Sequence, residues 1–102
     1  MKIALICSLG LSTSLLLTKM QAVAEQQNVR HELVALGSSE LSDEAEGVDV
    51  FLLAPQVRYM IGTVQKYGKP VAVLDGMIYA LADGAKALEV ALRLAAESGG
   101  GR

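Results

Sequence analysis

The stretch KIALICSLGLSTSLLL, residues 2–17, holds the one cysteine of the chain and admits two readings. In the first, KIALIC (2–7) is a buried β-strand, SLGLST (8–13) is its exit loop, and the remainder opens a helix. In the second, Met1-Lys2 is a short positive start, Ile3–Leu17 an apolar-leaning run, and Ala22-Val23-Ala24 imitates the cleavage site of a secretion signal. Ser8, Gly10, Ser12, Thr13 and Ser14 interrupt that run, and Lys19 and Gln21 separate it from the supposed cut. Cutting there also removes a strand that the rest of the chain requires. The strand–loop–helix reading is preferred. No apolar stretch reaches the ~18–20 residues that a spanning helix needs.

A chain of 102 residues with 52% hydrophobic content fits one compact domain with a real core. Only 4% of it is aromatic, and the apolar mass is Ala, Val, Leu and Ile, which suits strands covered by helices. The formal charge is −2, and the Lys and Arg residues (2, 19, 30, 58, 66, 69, 86, 93, 102) are scattered, so there is no nucleic-acid footprint. A lone cysteine forms no internal disulfide, and no CxxC or Cys/His cluster points to zinc. A reducing cytosol is the simplest compartment.

Outward from the first strand, Leu16, Met20, Val23 and Gln27 share one helical line and Leu17, Met20 and Ala24 the next. That spacing predicts an amphipathic helix from Ser14 to about Gln27, with Ser12 or Thr13 as its cap. VRHELVAL (29–36) reads as a second strand, and GSSELSDEAEG (37–47) as a polar connection with room for a short helical turn. VDVFLLA (48–54) is a third strand whose unbroken apolar run predicts burial on both faces. Pro55 stops it, and QVRYMIGTVQKYG (56–68) suits a helix with Val57, Met60, Ile61 and Val64 inward. KPVAVLD (69–75) is the fourth strand. GMIYALA (76–82) leads to a helix over 83–98 with Ala87, Leu88, Ala91, Leu92 and Ala95 as its buried stripe. Residues 1–98 then form the domain, and 99–102 a flexible glycine-rich tail.

Four strand–helix units imply an α/β fold, an open four-stranded parallel sheet with helices on both faces. In such folds ligands gather at the carboxyl ends of strands, near the topological switch point. Cys7, Pro55 and Asp75 fall at three such ends. After Cys7, the backbone N–H groups of the loop can converge on an anion, aided by the dipole of the next helix. Gly10 permits close backbone approach, and Ser12, Thr13 and Ser14 offer hydroxyl donors. The same donors stabilise a thiolate, the nucleophilic form of cysteine. Cysteine phosphatases use a comparable loop with the pattern C-x5-R-[ST]. Here the arginine position is Thr13, followed by Ser14, so the group that would clamp phosphate for transfer to water is missing. Retention of a phosphocysteine is the natural inference, although Arg58 leaves the third strand within conceivable reach.

Three stretches, ICSLGLSTSLLLTKM, VDVFLLAPQVRYM and KPVAVLD followed by GMIYALADGAKAL, carry a family likeness. The chain resembles the IIB component of the lactose/cellobiose class of the bacterial phosphoenolpyruvate-dependent sugar phosphotransferase system, nearly end to end. The resemblance implies that Cys7 accepts a phosphoryl group from a phosphohistidine of a IIA protein. It further implies transfer to a sugar bound by a membrane IIC transporter, with lactose, cellobiose and chitobiose as candidates. Ser8, Leu9, Gly10, Leu11, Ser12, Thr13 and Ser14 would form the phosphate-binding loop. A nucleophile serving two proteins in turn is expected exposed at the rim. Gln56, Arg58 and Tyr59 are accessory or partner-contact candidates. No metal, organic cofactor or nucleic acid is expected. The protein is expected in the cytoplasm, transiently at the inner face of the membrane, without inserting into it, and a monomer is the default.

Competing readings are a low-molecular-weight cysteine phosphatase-like hydrolase and a receiver-like regulatory module. Thr13 argues against the first. The second needs an acidic cluster at strand ends, where Asp75 stands isolated. His31 lies inside a predicted strand without anion-binding context and reads as structural or exposed. Glu40, Asp43, Glu44 and Glu46 read as a solvated connection, and Asp75-Gly76 as a turn.

Overall fold

In this computed structural model the described residues are 1–7, 11–28, 31–37 and 46–99, without the side chains of 11–13, 98 and 99. Strand β1 (Lys2–Cys7) is followed by helix α1 (Leu11–Gln26), β2 (Glu32–Gly37) and β3 (Val50–Leu53). A 3₁₀ segment (Pro55–Met60) then leads to α2 (Ile61–Gln65), β4 (Val71–Val73), α3 (Gly76–Ala80) and α4 (Gly84–Gly99). The four strands form one sheet in the order β2-β1-β3-β4. All pairs are parallel, with Ile3 opposite Leu33 on one side and Val50 on the other. The expected α/β architecture is the observed one.

The sheet is held by two apolar layers. Ile3, Leu5, Val50 and Leu52 pack with Leu16, Met20 and Ala24 of α1 and Ala87, Leu88 and Ala91 of α4. Ala4, Ile6, Phe51 and Leu53 point the other way, onto Val57 and Val64. Alternation along a strand puts successive side chains on opposite faces, so a strand covered on both must be apolar throughout. That is why KIALIC and VFLL carry no polar residue between their apolar ones. On the second face the rings of Phe51 and Tyr67 lie tilted, with centroids 5.8 Å apart.

Three local expectations change. First, α1 begins at Leu11, so Ser12 and Thr13 sit inside its first turn rather than at the cap. Second, 56–68 is not one helix. Val57 (φ −115°, ψ 25°) breaks the 3₁₀ segment, and α2 spans only five residues. Val57 is fully buried while Gln56, Arg58 and Tyr59 stay exposed, so a single inward anchor sets the turn before helical periodicity resumes. Periodicity counts apolar positions and is blind to such a break. Third, residues 76–80 are helical, capped by Asp75, whose Oδ1 accepts from the N–H of Met77 at 2.7 Å. The polar connection at 38–45 and tail residues 100–102 lie outside the described residues, whereas Gly99 belongs to α4.

The packing of α4 on α1 depends on Gly84. A Cβ built there would lie 2.5 Å from the backbone nitrogen of Met20 and still closer to the carbonyl carbon of Lys19. Backbone atoms cannot rotate aside, so the two helices must separate. Gly84→Ala is expected to cost about 1–3 kcal/mol, read as a lower urea midpoint. Gly62→Ala, where a Cβ meets nothing within 4 Å, is the matched control and should leave the midpoint unchanged or raised. Equal midpoints for the two variants would contradict the close approach.

Candidate functional site at the carboxyl edge of the sheet

In the order β2-β1-β3-β4, the strand after β1 lies on one side of it and β3 on the other, so the switch point falls between β1 and β3. Cys7 is the last residue of β1, in register with Gly37 of β2. The chain leaving β3 is tied to the same place, because the N–H of Ala54 donates to the carbonyl of Ile6 at 2.9 Å. Helix α1 starts four residues after Cys7, which turns its amino end and unpaired N–H groups toward this edge. A free thiol, a helix start and the exit of β3 thus meet at one end of the central strands.

The thiol is not at the rim. Cys7 is only 4% exposed and belongs to the cluster of Ile6, Ala54 and Val57, although strict alternation would send it toward Ile3 and Leu5. The expectation of an exposed sulfur is therefore corrected. Its backbone is still inside the sheet, paired with β2, and its side chain joins the apolar cluster that includes Ala54 and Val57. Ser8, Leu9 and Gly10, together with the side chains of Leu11, Ser12 and Thr13, lie outside the described residues. Ser14 is exposed in α1, and its carbonyl accepts from Thr18 Oγ1 at 3.0 Å.

Gln56, Arg58 and Tyr59 are all exposed on the 3₁₀ segment at this edge. Neither Gln56 nor Arg58 has a side-chain partner among the described residues. The carboxylate of Asp75 is occupied in capping α3, and Asp83 caps α4 in the same manner, accepting from the N–H of Lys86 at 3.1 Å. Sequence reading missed both caps. The signal was present as an aspartate immediately before each helical run.

His31 lies at the opposite edge, just before β2 and beside Met1, Lys2, Glu25 and Asp49 around a depression of about 510 Å³. At ~3.3 Å per residue, the six residues of β1 put on the order of 16 Å between the two edges. Its Nδ1 is buried without a hydrogen-bond partner. Burial, and next the positive amino terminus, lower its pKa from 6.5. Nothing there serves Cys7.

Comparison with known proteins agrees with this geometry. The family model described as the lactose/cellobiose-specific IIB subunit of the PTS system matches residues 2–90. The chain is 40% identical over 97 residues to the PTS oligo-beta-mannoside-specific EIIB component of Bacillus subtilis (strain 168), covering 91% of this chain and 94% of that one. It is 37% identical over 101 residues to the galactose-specific EIIB component of Lactococcus lactis subsp. cremoris (strain MG1363), covering 90% and 94%. The solution structure of the cellobiose-specific phosphotransferase IIB component from Borrelia burgdorferi superposes with a TM-score of 0.77 at 28% identity, covering 92% and 90%. These likenesses place the molecule among the sugar phosphotransferases. The chain belongs to the lactose/cellobiose-specific IIB family of the phosphotransferase system.

A lowered histidine pKa has a direct consequence for stability. The unfolded chain binds the His31 proton more readily than the folded one, so stability rises with pH up to about the ordinary value of 6.5 and then levels off. His31→Gln is expected to reduce the loss of melting temperature between pH ~7.5 and ~5.5. An unchanged loss in the variant would contradict the burial of that ring nitrogen.

Proposed function

We propose that Cys7 is the phosphoryl carrier of this IIB protein. The observation that carries the reading is the free thiol at the carboxyl end of central strand β1, beside the β3 exit, at the switch point. In the first step the thiolate attacks phosphorus of a IIA phosphohistidine. An S–P bond forms as the N–P bond breaks, and the imidazole leaves with the bonding pair and takes up a proton. In the second, a hydroxyl oxygen of a sugar held by a IIC transporter attacks phosphorus. The S–P bond breaks, the thiolate is regenerated, and the hydroxyl proton passes to a base or water. Both steps depend chiefly on in-line placement and charge stabilisation.

Main-chain N–H groups from Ser8, Leu9, Gly10, Leu11, Ser12, Thr13 and Ser14 hold the phosphate oxygens in this reading, with the three hydroxyls assisting. Gln56, Arg58 and Tyr59 flank the entry. Thr13 in place of the phosphatase arginine leaves hydrolysis without its charge clamp, and the near-complete burial of Cys7 keeps bulk water off the sulfur. Transfer then requires that the sulfur be uncovered when a partner docks. Relatives of similar identity are described for oligo-beta-mannoside and for galactose, which supports sugar choice residing in the transporter rather than here. Lactose, cellobiose and chitobiose remain the candidate sugars. No helix among the described residues is long and apolar enough to cross a membrane. A cytoplasmic protein meeting the membrane only through its transporter fits the reading.

Reconstitution with phosphoenolpyruvate, the two general phosphotransferase proteins and a IIA protein should add one phosphoryl group by mass. Cys7→Ser should lose both that group and transfer to sugar. Full labelling of that variant on His31, or steady release of phosphate from an aryl phosphate by the wild-type chain, would overturn the carrier assignment.

A further inference from the structure

Helix α1 begins four residues after Cys7, and in the carrier reading its amino end helps to hold the phosphoryl group. The position of α1 therefore sets the geometry around the sulfur. Its buried side, Leu16, Met20 and Ala24, packs with Ala87, Leu88 and Ala91 of α4. Apolar side chains in such a layer can re-pack. The contact at Gly84 cannot, because there the backbone of α4 meets the backbone of α1. A Cβ built on Gly84 lies 2.5 Å from the nitrogen of Met20 and 2.6 Å from the Cβ of Lys19.

The chain arriving at Gly84 is equally constrained. Helix α3 packs on both α1 and α4. In the turn that follows it, the N–H of Ala82 donates to the carbonyl of Tyr79 at 3.2 Å, and that of Asp83 to Ile78 at 2.9 Å. Ala82 is buried and holds φ at 51°, in the left-handed region that side chains disfavour. Such a conformation persists only where its surroundings over-determine it. Asp83 then caps α4 by accepting from the N–H of Lys86. The start of α4 is held by its own turn, and α1 lies against it.

Met20 lies nine residues after Leu11, the start of α1, which is about 13 Å along the helix axis. Ordinary contact with a Cβ begins at 3.4 Å, so any side chain at position 84 must part the two backbones by about 1 Å. Hydrogen-bonded turns move together, and the amino end of α1 shifts with the joint. Cys7 does not follow, because the pairing of β1 holds it. Misplacement by ~1 Å costs on the order of 100-fold in a reaction that depends on alignment. We infer that Gly84 is a positioning residue for phosphoryl transfer. Its bare backbone sets the separation of α4 and α1, and through α1 the place of the amides that hold the phosphoryl group. The inference rests on the carrier reading of Cys7 and assigns what keeps its cradle in place.

The test uses the full chain, a phosphorylated lactose/cellobiose-class IIA protein that loads the wild type, and transporter-bearing membranes with sugar. All rates are taken well below the melting temperature of each variant. The shift is shared between two helices, so Gly84→Ala should lower kcat about tenfold, with KM for the donor near the wild-type value. Loading and onward transfer should fall alike, because the same amides serve both steps. Leu33→Val, in register with Ile3 toward the amino edge, weakens the same apolar layer and should keep both rates. If Gly84→Ala does not fold, Met20→Val thins the joint from the α1 side without a clash and should show the paired loss instead. Wild-type kcat in the folded joint variant, a loss confined to one step, or an equal loss in Leu33→Val overturns the assignment. Each of these leaves the label on sulfur, whereas failure of the carrier reading shows as labelling that survives in Cys7→Ser.

Discussion

Strand β1 is the element on which everything else is registered. It is paired through its backbone to β2 on one side and β3 on the other, and Ile3, Ala4, Leu5 and Ile6 are each at most 1% exposed. A strand in that position has no freedom to slip. A shift by one residue would exchange Ile3 and Leu5 with Ala4 and Ile6, setting side chains of the wrong size against α1 and α4 on one face and against Phe51 and Val57 on the other. Because the register is fixed, so is the place of its last residue, and Cys7 is delivered to the switch point by packing that begins four residues earlier, at Ile3. The sheet positions the sulfur, and the neighbouring segments surround it.

Much of this was legible from residue order. KIALIC and VDVFLLA announced central strands because only apolar residues can face a cover on both sides, and the alternation of strands with helical runs announced a parallel sheet. What was not legible came from tertiary demands on short segments. The 56–68 run kept a helical spacing of apolar residues, yet one buried side chain, Val57, broke it into a 3₁₀ turn and a short helix. The start of α1 at Leu11 moved Ser12 and Thr13 off the cap they suited by composition. Residues 76–82 looked like a connection because five helical residues are too few for periodicity to register, though Asp75 supplied a capping signal.

The site was read unevenly for the same reason. Sequence located the thiol, the edge and the flanking Gln56, Arg58 and Tyr59, all of which follow from where strands end. It misjudged the burial of Cys7, because whether a strand-end side chain is covered depends on tertiary packing, and Cys7 joins an apolar cluster that also draws on Ala54 and Val57 from a distant part of the chain. In the proposed relay, that burial holds water off the sulfur between steps and ties access to the approach of a partner.

The central claim is that the phosphoryl group resides on sulfur at the end of β1, and the bond it makes can be read directly. Phosphorus NMR of the phosphorylated wild-type chain, kept folded, distinguishes a phosphorus bonded to sulfur from one bonded to nitrogen or oxygen. The account predicts a single resonance of the thiophosphate-ester type that disappears when sugar and transporter membranes are added. A phosphoramidate resonance, the signature of phosphorus on nitrogen as it would be on His31, would contradict it.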